Sequence, residues 1–373
     1  MAASPAGPDV AHVLLTTDAV GGVWTYALDL ARGLAARGDR VTLAVLGPPP
    51  DADRRAAAMA TGAELVDTGL PLDWLAADAG EVRAAGEALA ALAERVGADL
   101  VHLNSPALAA CARFRRPVVG VAHSCLRTWW AAVEGETLEP ADFRWRADLL
   151  AQGYALCDAL VAPTAAFAEA TARAYGVRPA VVRNGRSPPV AGAGVAKRRQ
   201  VLTAGRLWDR GKDLATLDAA AALIDAPVLA LGPTRGPDGG EVRPAHVVAV
   251  GETNAHQLAS ALALARVFAS PALYEPFGLA VLEAAQAGCA LVLCDIPTFR
   301  ELWEGAAVFV PARDPAALAA ALQRLLDDEA EAARLGSVAR ERAHRYGLDA
   351  FVDGVRAVHR QALAVRAPEG AAA

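Results

Sequence analysis

The chain has 373 residues, 54% of them hydrophobic and 21% charged, with a formal net charge of -6. That length exceeds one ordinary hydrophobic core and predicts two domains, and the composition excludes a disordered chain. The acidic balance argues against general nucleic-acid binding, which needs a cationic surface to displace phosphate counterions.

Short apolar runs alternate with longer amphipathic segments, the pattern of a doubly wound parallel α/β sheet. In the first half, strands are predicted at His12–Thr17, Arg40–Leu46, Glu64–Asp67, Asp99–Leu103, Pro117–Val121, Ala159–Ala162 and Ala180–Arg183. The clearest helices between them are Val23–Arg37, Glu81–Val96 and Pro140–Cys157. Ser187 to Gly194, rich in Pro, Gly and Ala and without a period, reads as a linker. The pattern then restarts with strands at Gln200–Ala204, Val228–Leu231, His246–Val250, Val267–Ala269, Leu291–Leu293 and Ala307–Val310. Its helices include Asp213–Ile224, Leu279–Ala287 and Pro315–Leu326, and Ala330 to Val365 reads as helical with a break near Tyr346-Gly347. The expected division is therefore 9–186 as a first Rossmann-like domain, 187–197 as a linker, 198–346 as a second, and 347–366 as a terminal helix. Two such domains bind their ligand at the carboxyl ends of both sheets, in the crevice between them.

Residues Met1 to Asp9 carry no positive charge and no long apolar core, so no secretory signal is read there. The most apolar helical stretch, Ala255 to Leu273, is interrupted by Arg266 and Pro271, and no run reaches the ~18 apolar residues of a membrane span. The five cysteines (Cys111, Cys125, Cys157, Cys289, Cys294) form no CxxC pair and suit buried thiols in a reducing cytoplasm. Asp51-Ala52-Asp53 spells a DxD, a spacing known as a divalent-metal motif. It follows three prolines and is better read as a helix cap with acidic first-turn residues.

The strongest chemical signal is Leu273-Tyr274-Glu275-Pro276-Phe277-Gly278-Leu279-Ala280-Val281-Leu282-Glu283, which leaves a strand and opens a helix. The N–H groups at Gly278, Leu279 and Ala280 form a natural phosphate seat. Glu283, one turn inside the helix, can accept bonds from ribose hydroxyls. Either glutamate alone would be an ordinary acid favoured by the helix dipole; the run as a whole is more specific. The second signal is Gly205-Arg206-Leu207-Trp208-Asp209-Arg210-Gly211-Lys212-Asp213. Arg206 and Lys212 flank a Gly-containing turn, where paired cations stabilise a leaving diphosphate. Only two of the 36 basic residues are lysines, Lys197 and Lys212. A lysine inside a motif is therefore informative here, whereas Arg210 reads as a solvated surface residue.

Gly205-Arg206 with Lys212, followed by Glu275-x7-Glu283, resembles glycosyltransferase family 4, the retaining GT-B enzymes that include phosphatidylinositol mannosyltransferases and bacterial glycogen synthases. The resemblance implies a GT-B fold of two Rossmann-like domains facing a central cleft, with the C-terminal helix crossing back to the first. It implies that Arg206 and Lys212 bind the donor diphosphate, that Glu283 holds the ribose and that Glu275 contacts the transferred sugar. Gly205, Phe277, Gly278 and Leu279 would complete the donor site. In the first half, the turn Thr17-Asp18-Ala19-Val20-Gly21-Gly22 lacks the GxGxxG fingerprint, which weighs against NAD binding. The resemblance places Gly21 and Gly22 near the donor phosphate and acceptor, with Asp18 either an acceptor contact or a turn residue. It also places His123, at the end of the strand Val118-Val119-Gly120-Val121-Ala122, on the donor sugar. His102 is a further strand-end histidine, while Asn184-Gly185 resembles the family's turn at the end of the first domain. Trp129 and Trp130 either stack on an acceptor sugar or pack a loop.

The expected enzyme is thus a retaining, metal-independent hexosyltransferase of the cytoplasm. A nucleotide-diphosphate sugar is its co-substrate rather than a cofactor, and a glycan, lipid-linked glycan or small-molecule hydroxyl is its acceptor. Arg113, Arg115 and Arg116 read as solvated surface, with peripheral contact to the inner membrane face as the alternative. The rival functions are a GT-B-fold nucleotide-sugar epimerase and an inactive sugar-nucleotide-binding protein.

Overall fold

The computed structural model describes residues 11–19, 21–110, 112–135, 137–188, 195–236 and 239–365. Among these the chain forms two compact units, one made of 11–130, 137–185 and 348–365 and the other of 131–135 and 186–347. Most of the linker expected over 187–197 falls on 189–194, outside the described residues, as do Cys111 and Val20.

The first unit runs β1 (His12–Asp18), α1 (Gly21–Ala35), β2 (Arg40–Leu46), α2 (Ala52–Met59), β3 (Glu64–Asp67), α3 (Ala79–Val96), β4 (Leu100–Leu103), β5 (Val118–Val121), α4 (Leu126–Val133), α5 (Ala141–Leu156), β6 (Ala159–Ala162), α6 (Ala165–Tyr175) and β7 (Ala180–Val181). The final residues of α4 group with the second unit. The sheet order is β3-β2-β1-β4-β5-β6-β7, with every pairing parallel. Strands β1, β4 and β5 are buried almost throughout because helices cover both faces, which is why they read as continuous apolar runs. The Asp51 carboxylate accepts the Arg54 N–H at 2.8 Å, so the first aspartate of the DxD caps α2.

The second unit runs β8 (Arg198–Ala204), α7 (Leu214–Ala221), β9 (Val228–Leu231), β10 (Val248–Gly251), α8 (Ala255–Leu264), β11 (Ala265–Ser270), α9 (Leu279–Gln286), β12 (Ala290–Cys294), α10 (Pro297–Trp303), β13 (Val308–Val310), α11 (Pro315–Asp327) and α12 (Glu329–Ala343). Its parallel sheet has the order β10-β9-β8-β11-β12-β13. The apolar stretch Ala255 to Leu273 splits into α8 and β11 with no loop between them. An Asn254–Gln257 capping box starts α8.

The tail expected to be helical from Ala330 breaks at 344–347, where the chain leaves the second unit. Its last helix, α13 (Leu348–Val365), buries Phe351, Val352, Val355, Val358 and Ala362 in the core that α1 also enters. Gly33 of α1 is required at that contact, since a Cβ there would meet Val352 Cγ2 at 2.2 Å. Fold class and topology therefore match the sequence expectation of two doubly wound parallel sheets.

Candidate functional site

In a doubly wound sheet the ligand crevice opens where the strand order reverses, because the loops leaving those two strands turn in opposite directions. In the second unit that reversal lies between β8 and β11. The loops leaving these strands carry Gly205 to Asp213 and Pro271 to Gly278.

Main-chain bonds stitch the two loops together. The Gly211 carbonyl accepts the N–H groups of Leu273 (2.9 Å) and Tyr274 (3.2 Å), and the Gly211 N–H donates to Asp209 Oδ1 at 2.8 Å. This places Lys212 against Glu275, and its ammonium donates to Glu275 Oε2 in an ion pair. Both side chains are about one-fifth exposed (21% and 17%), so the pair is shielded yet reachable. Thr298 Oγ1 holds the Glu275 carbonyl at 2.7 Å. Gly205, Ser270, Pro271 and Ala280 line the same small cavity as Lys212 and Glu275.

Backbone shape makes this approach possible. Gly278 sits at φ 88 and turns the chain into α9, whose first turn presents the N–H groups of Leu279 and Ala280. At Gly232, where β9 ends, an added Cβ would lie 1.9 Å from the Gly205 carbonyl oxygen. Only glycine lets the two strand ends come that close.

Other expected donor residues are placed differently. Arg206 is about half exposed, ion-paired to Asp209 at 3.2 Å and 5.7 Å from the centre of the Trp208 ring. It therefore turns toward its own loop rather than toward Glu275. Phe277 is 3% exposed and packs against Tyr346 at 5.8 Å between ring centres. Its side chain belongs to the core, so the expected donor contact could come only from its backbone. Glu283 forms an ion pair with Arg186, and both line a cavity of about 240 Å³ together with Ser187, Ala255, His256 and Leu258. Arg186 was not foreseen, because nothing near it in sequence announces its partner.

In the first unit the order reverses between β1 and β4. Asp18 ends β1, and Gly21 (φ 68) and Gly22 open α1 with both glycines exposed. His123 follows β5, and its Nε2 lies 2.8 Å from Asn104 Oδ1 at the end of β4. The Tyr26 ring meets it edge-on, with centroids 4.5 Å apart and planes at 82°. Burial pushes the His123 pKa down to about 3, so the ring is neutral at pH 7. His102, a strand-end histidine in the sequence reading, does not line a surface. It is fully buried, 3.3 Å from Tyr26 Oη and 2.9 Å from His359 Nε2. Trp129 and Trp130 pack with Phe143, at 6.4 and 5.2 Å between ring centres, and Trp130 Nε1 donates to the Thr137 carbonyl at 2.8 Å. That arrangement suits the loop-packing alternative.

Two family models match the chain in tandem: Glycosyltransferase Family 4 over residues 20–188, and Glycosyl transferases group 1 over residues 243–342. The chain belongs to the family 4 glycosyltransferases. A phosphatidyl-myo-inositol mannosyltransferase of Mycolicibacterium smegmatis is 38% identical over 164 residues, covering 40% of this chain and 41% of that protein. The match thus spans about two-fifths of that relative's length. Among solved structures, sucrose-phosphate synthase from Thermosynechococcus elongatus superposes with a TM-score of 0.77 at 21% identity, covering 95% of this chain and all of the other. Anabaena HepE in complex with UDP and glucose gives 0.72 at 18% identity, covering 94% of this chain and all of the other. These likenesses establish the GT-B fold of this family 4 glycosyltransferase. Among its described residues no helix is long and apolar enough to cross a membrane.

Proposed function

We propose that the protein moves a hexosyl group from a nucleoside-diphosphate sugar to a hydroxyl acceptor with retention at the anomeric carbon. The observation that carries this reading is the Lys212–Glu275 pair at the β8/β11 reversal, beside the first turn of α9. A diphosphate seated on that turn meets the Lys212 ammonium, which stabilises negative charge as the glycosidic C–O bond breaks. Glu275, already on the lysine, is then within reach of a sugar hydroxyl and orients the ring. The cavity beside Glu283 and Arg186 suits the nucleoside, with the Glu283 carboxylate accepting from the ribose. The departing phosphate oxygen takes the acceptor proton on the same face, so no protein nucleophile is needed. Lys212 and Arg206 would supply the positive charge that a divalent cation provides elsewhere, Arg206 doing so by leaving Asp209.

Two features support a nucleotide-sugar donor: membership of family 4, and the fold shared with a protein solved with UDP and glucose. The test is a thermal-shift panel of UDP-, GDP- and ADP-sugars, followed by acceptor-dependent release of the nucleoside diphosphate. A donor at a hundred times its Kd should stabilise the fold by about 2.7 kcal/mol. Lys212→Ala should then slow turnover about 100-fold or more, the scale of losing one electrostatic stabiliser. Unchanged turnover in that variant would refute the assignment.

A further inference from the structure

The amide of Asn104 is held in one orientation by chemistry that leaves no choice. Its Nδ2 lies 2.6 Å from the main-chain carbonyl oxygen of Thr16, an atom that can only accept. The atom facing Thr16 must therefore be the NH2 group, and Oδ1 must be the one facing His123. Oδ1 also only accepts, so the His123 Nε2 at 2.8 Å must carry the hydrogen. Asn104 is itself anchored, since its N–H donates to Thr16 Oγ1 at 3.0 Å and Thr16 is 1% exposed. The Tyr26 ring supports the imidazole edge-on, and its own hydroxyl is tied to His102.

We propose that Asn104 is a positioning residue that locks His123 as the Nε2–H tautomer, so that Nδ1 presents a lone pair to a hydroxyl group of the sugar substrate. This rests on reading the protein as a sugar transferase whose substrate His123 meets, as the family resemblance implies. A histidine locked this way accepts a hydrogen bond from the substrate and does not donate one. It therefore selects a hydroxyl at the contacted position and disfavours a ligand offering only an acceptor there. Burial lowers the His123 pKa to about 3, so the lone pair persists at pH 7.5. Asn104, at the end of β4, and Thr16, in β1, flank the reversal of strand order in the first sheet. This polar clamp is thus built from the two strands whose ends open the crevice of that unit.

The test uses the full chain labelled with 15N-histidine. Long-range 1H–15N spectra at pH 7.5 should show His123, assigned by loss of its signals in His123→Gln, as the Nε2–H tautomer. Asn104→Leu should give a tautomer mixture and lower kcat about 10–100-fold, by analogy with losing the outer partner of a metal-bound histidine. Asn104→Asp keeps an acceptor for the His123 N–H, loses the donor to the Thr16 carbonyl and adds a charge. It should preserve Nε2–H while raising the His123 pKa into the observable range and moving the acid limb of the pH–rate profile upward. An Nδ1–H tautomer in the wild-type protein would overturn the inference. So would wild-type kcat in Asn104→Leu alongside an impaired His123→Ala. If His123→Ala transfers sugar at full rate while the spectra show Nε2–H, it is the placement of His123 that fails, and the role of Asn104 in substrate recognition falls with it. Should Asn104→Leu not fold, the wild-type spectrum and Asn104→Asp still decide.

Discussion

Acidification should destabilise the first unit through its buried histidines, by an amount the structure sets. His102 on β4 and His359 on α13 are 0% and 5% exposed and share a 2.9 Å Nδ1···Nε2 contact. Burial pushes His359 from 6.5 down to about 3, with Arg356 on its own helix adding to the shift, and holds His102 well below its usual value. The other groups acting on the pair are the Tyr26 hydroxyl and His123, and Arg356 is tied to Asp39 at 2.7 Å. Folded pKa values below the unfolded ones mean that the unfolded chain binds more protons. The stability is therefore complete above about pH 6.5 and is lost as pH falls through that value. Between pH 7.5 and 5.5 each histidine costs about 1.4 kcal/mol, about 3 kcal/mol for the pair. Against a typical domain stability of about 5–15 kcal/mol this is a large fraction, and the pair's share of the Tm drop should be about 6–12 °C, with His123 adding its own. Calorimetry at both pH values measures it. His359→Gln keeps one donor and one acceptor while removing one titration, so its loss over the same interval should be smaller by about 1.4 kcal/mol. Groups elsewhere titrate equally in both proteins and cancel in the difference. A His359→Gln Tm that falls as steeply as the wild type would refute the argument.

Two further substitutions probe the second crevice and the DxD. Gly232→Ala places a Cβ 1.9 Å from the Gly205 carbonyl at φ 132. It should cost at least about 2 kcal/mol in urea unfolding and weaken donor binding, because the β8 and β9 ends must separate. Asp51→Ala removes the acceptor for the Arg54 N–H and should lower the urea midpoint slightly. Its sugar-transfer rate should stay unchanged, whereas a metal ligand would abolish transfer on removal.

The parts of this molecule that sequence discloses are those built from contiguous residues. Strands such as β1 and β2 declare themselves as apolar runs, and the Glu275-to-Glu283 segment shows its turn and helix start within a few residues. Lys212 stood out because the chain otherwise spends its positive charge on arginine. What stayed hidden depends on partners far along the chain. Phe277 looked like part of a donor loop, but Tyr346 from a later turn buries it. His102 read only as a strand-end histidine, and its partner His359 lies 257 positions away. Glu283 read as a ribose acceptor, and its ion pair with Arg186, about a hundred positions earlier, was not foreseen.

Asn104 makes the same point with a consequence for chemistry. In sequence it is one polar residue after a strand, with no feature that separates it from a turn former. Its meaning comes from Thr16, 88 positions earlier, and His123, 19 later, which meet only because β1, β4 and β5 lie side by side. A parallel sheet brings the ends of non-consecutive strands together, and a proton's position on a ring is decided there by which atoms can donate. Motif reading finds charges and turns because these are local. The protonation geometry of a histidine is a property of the sheet order, and it becomes visible only once that order is known.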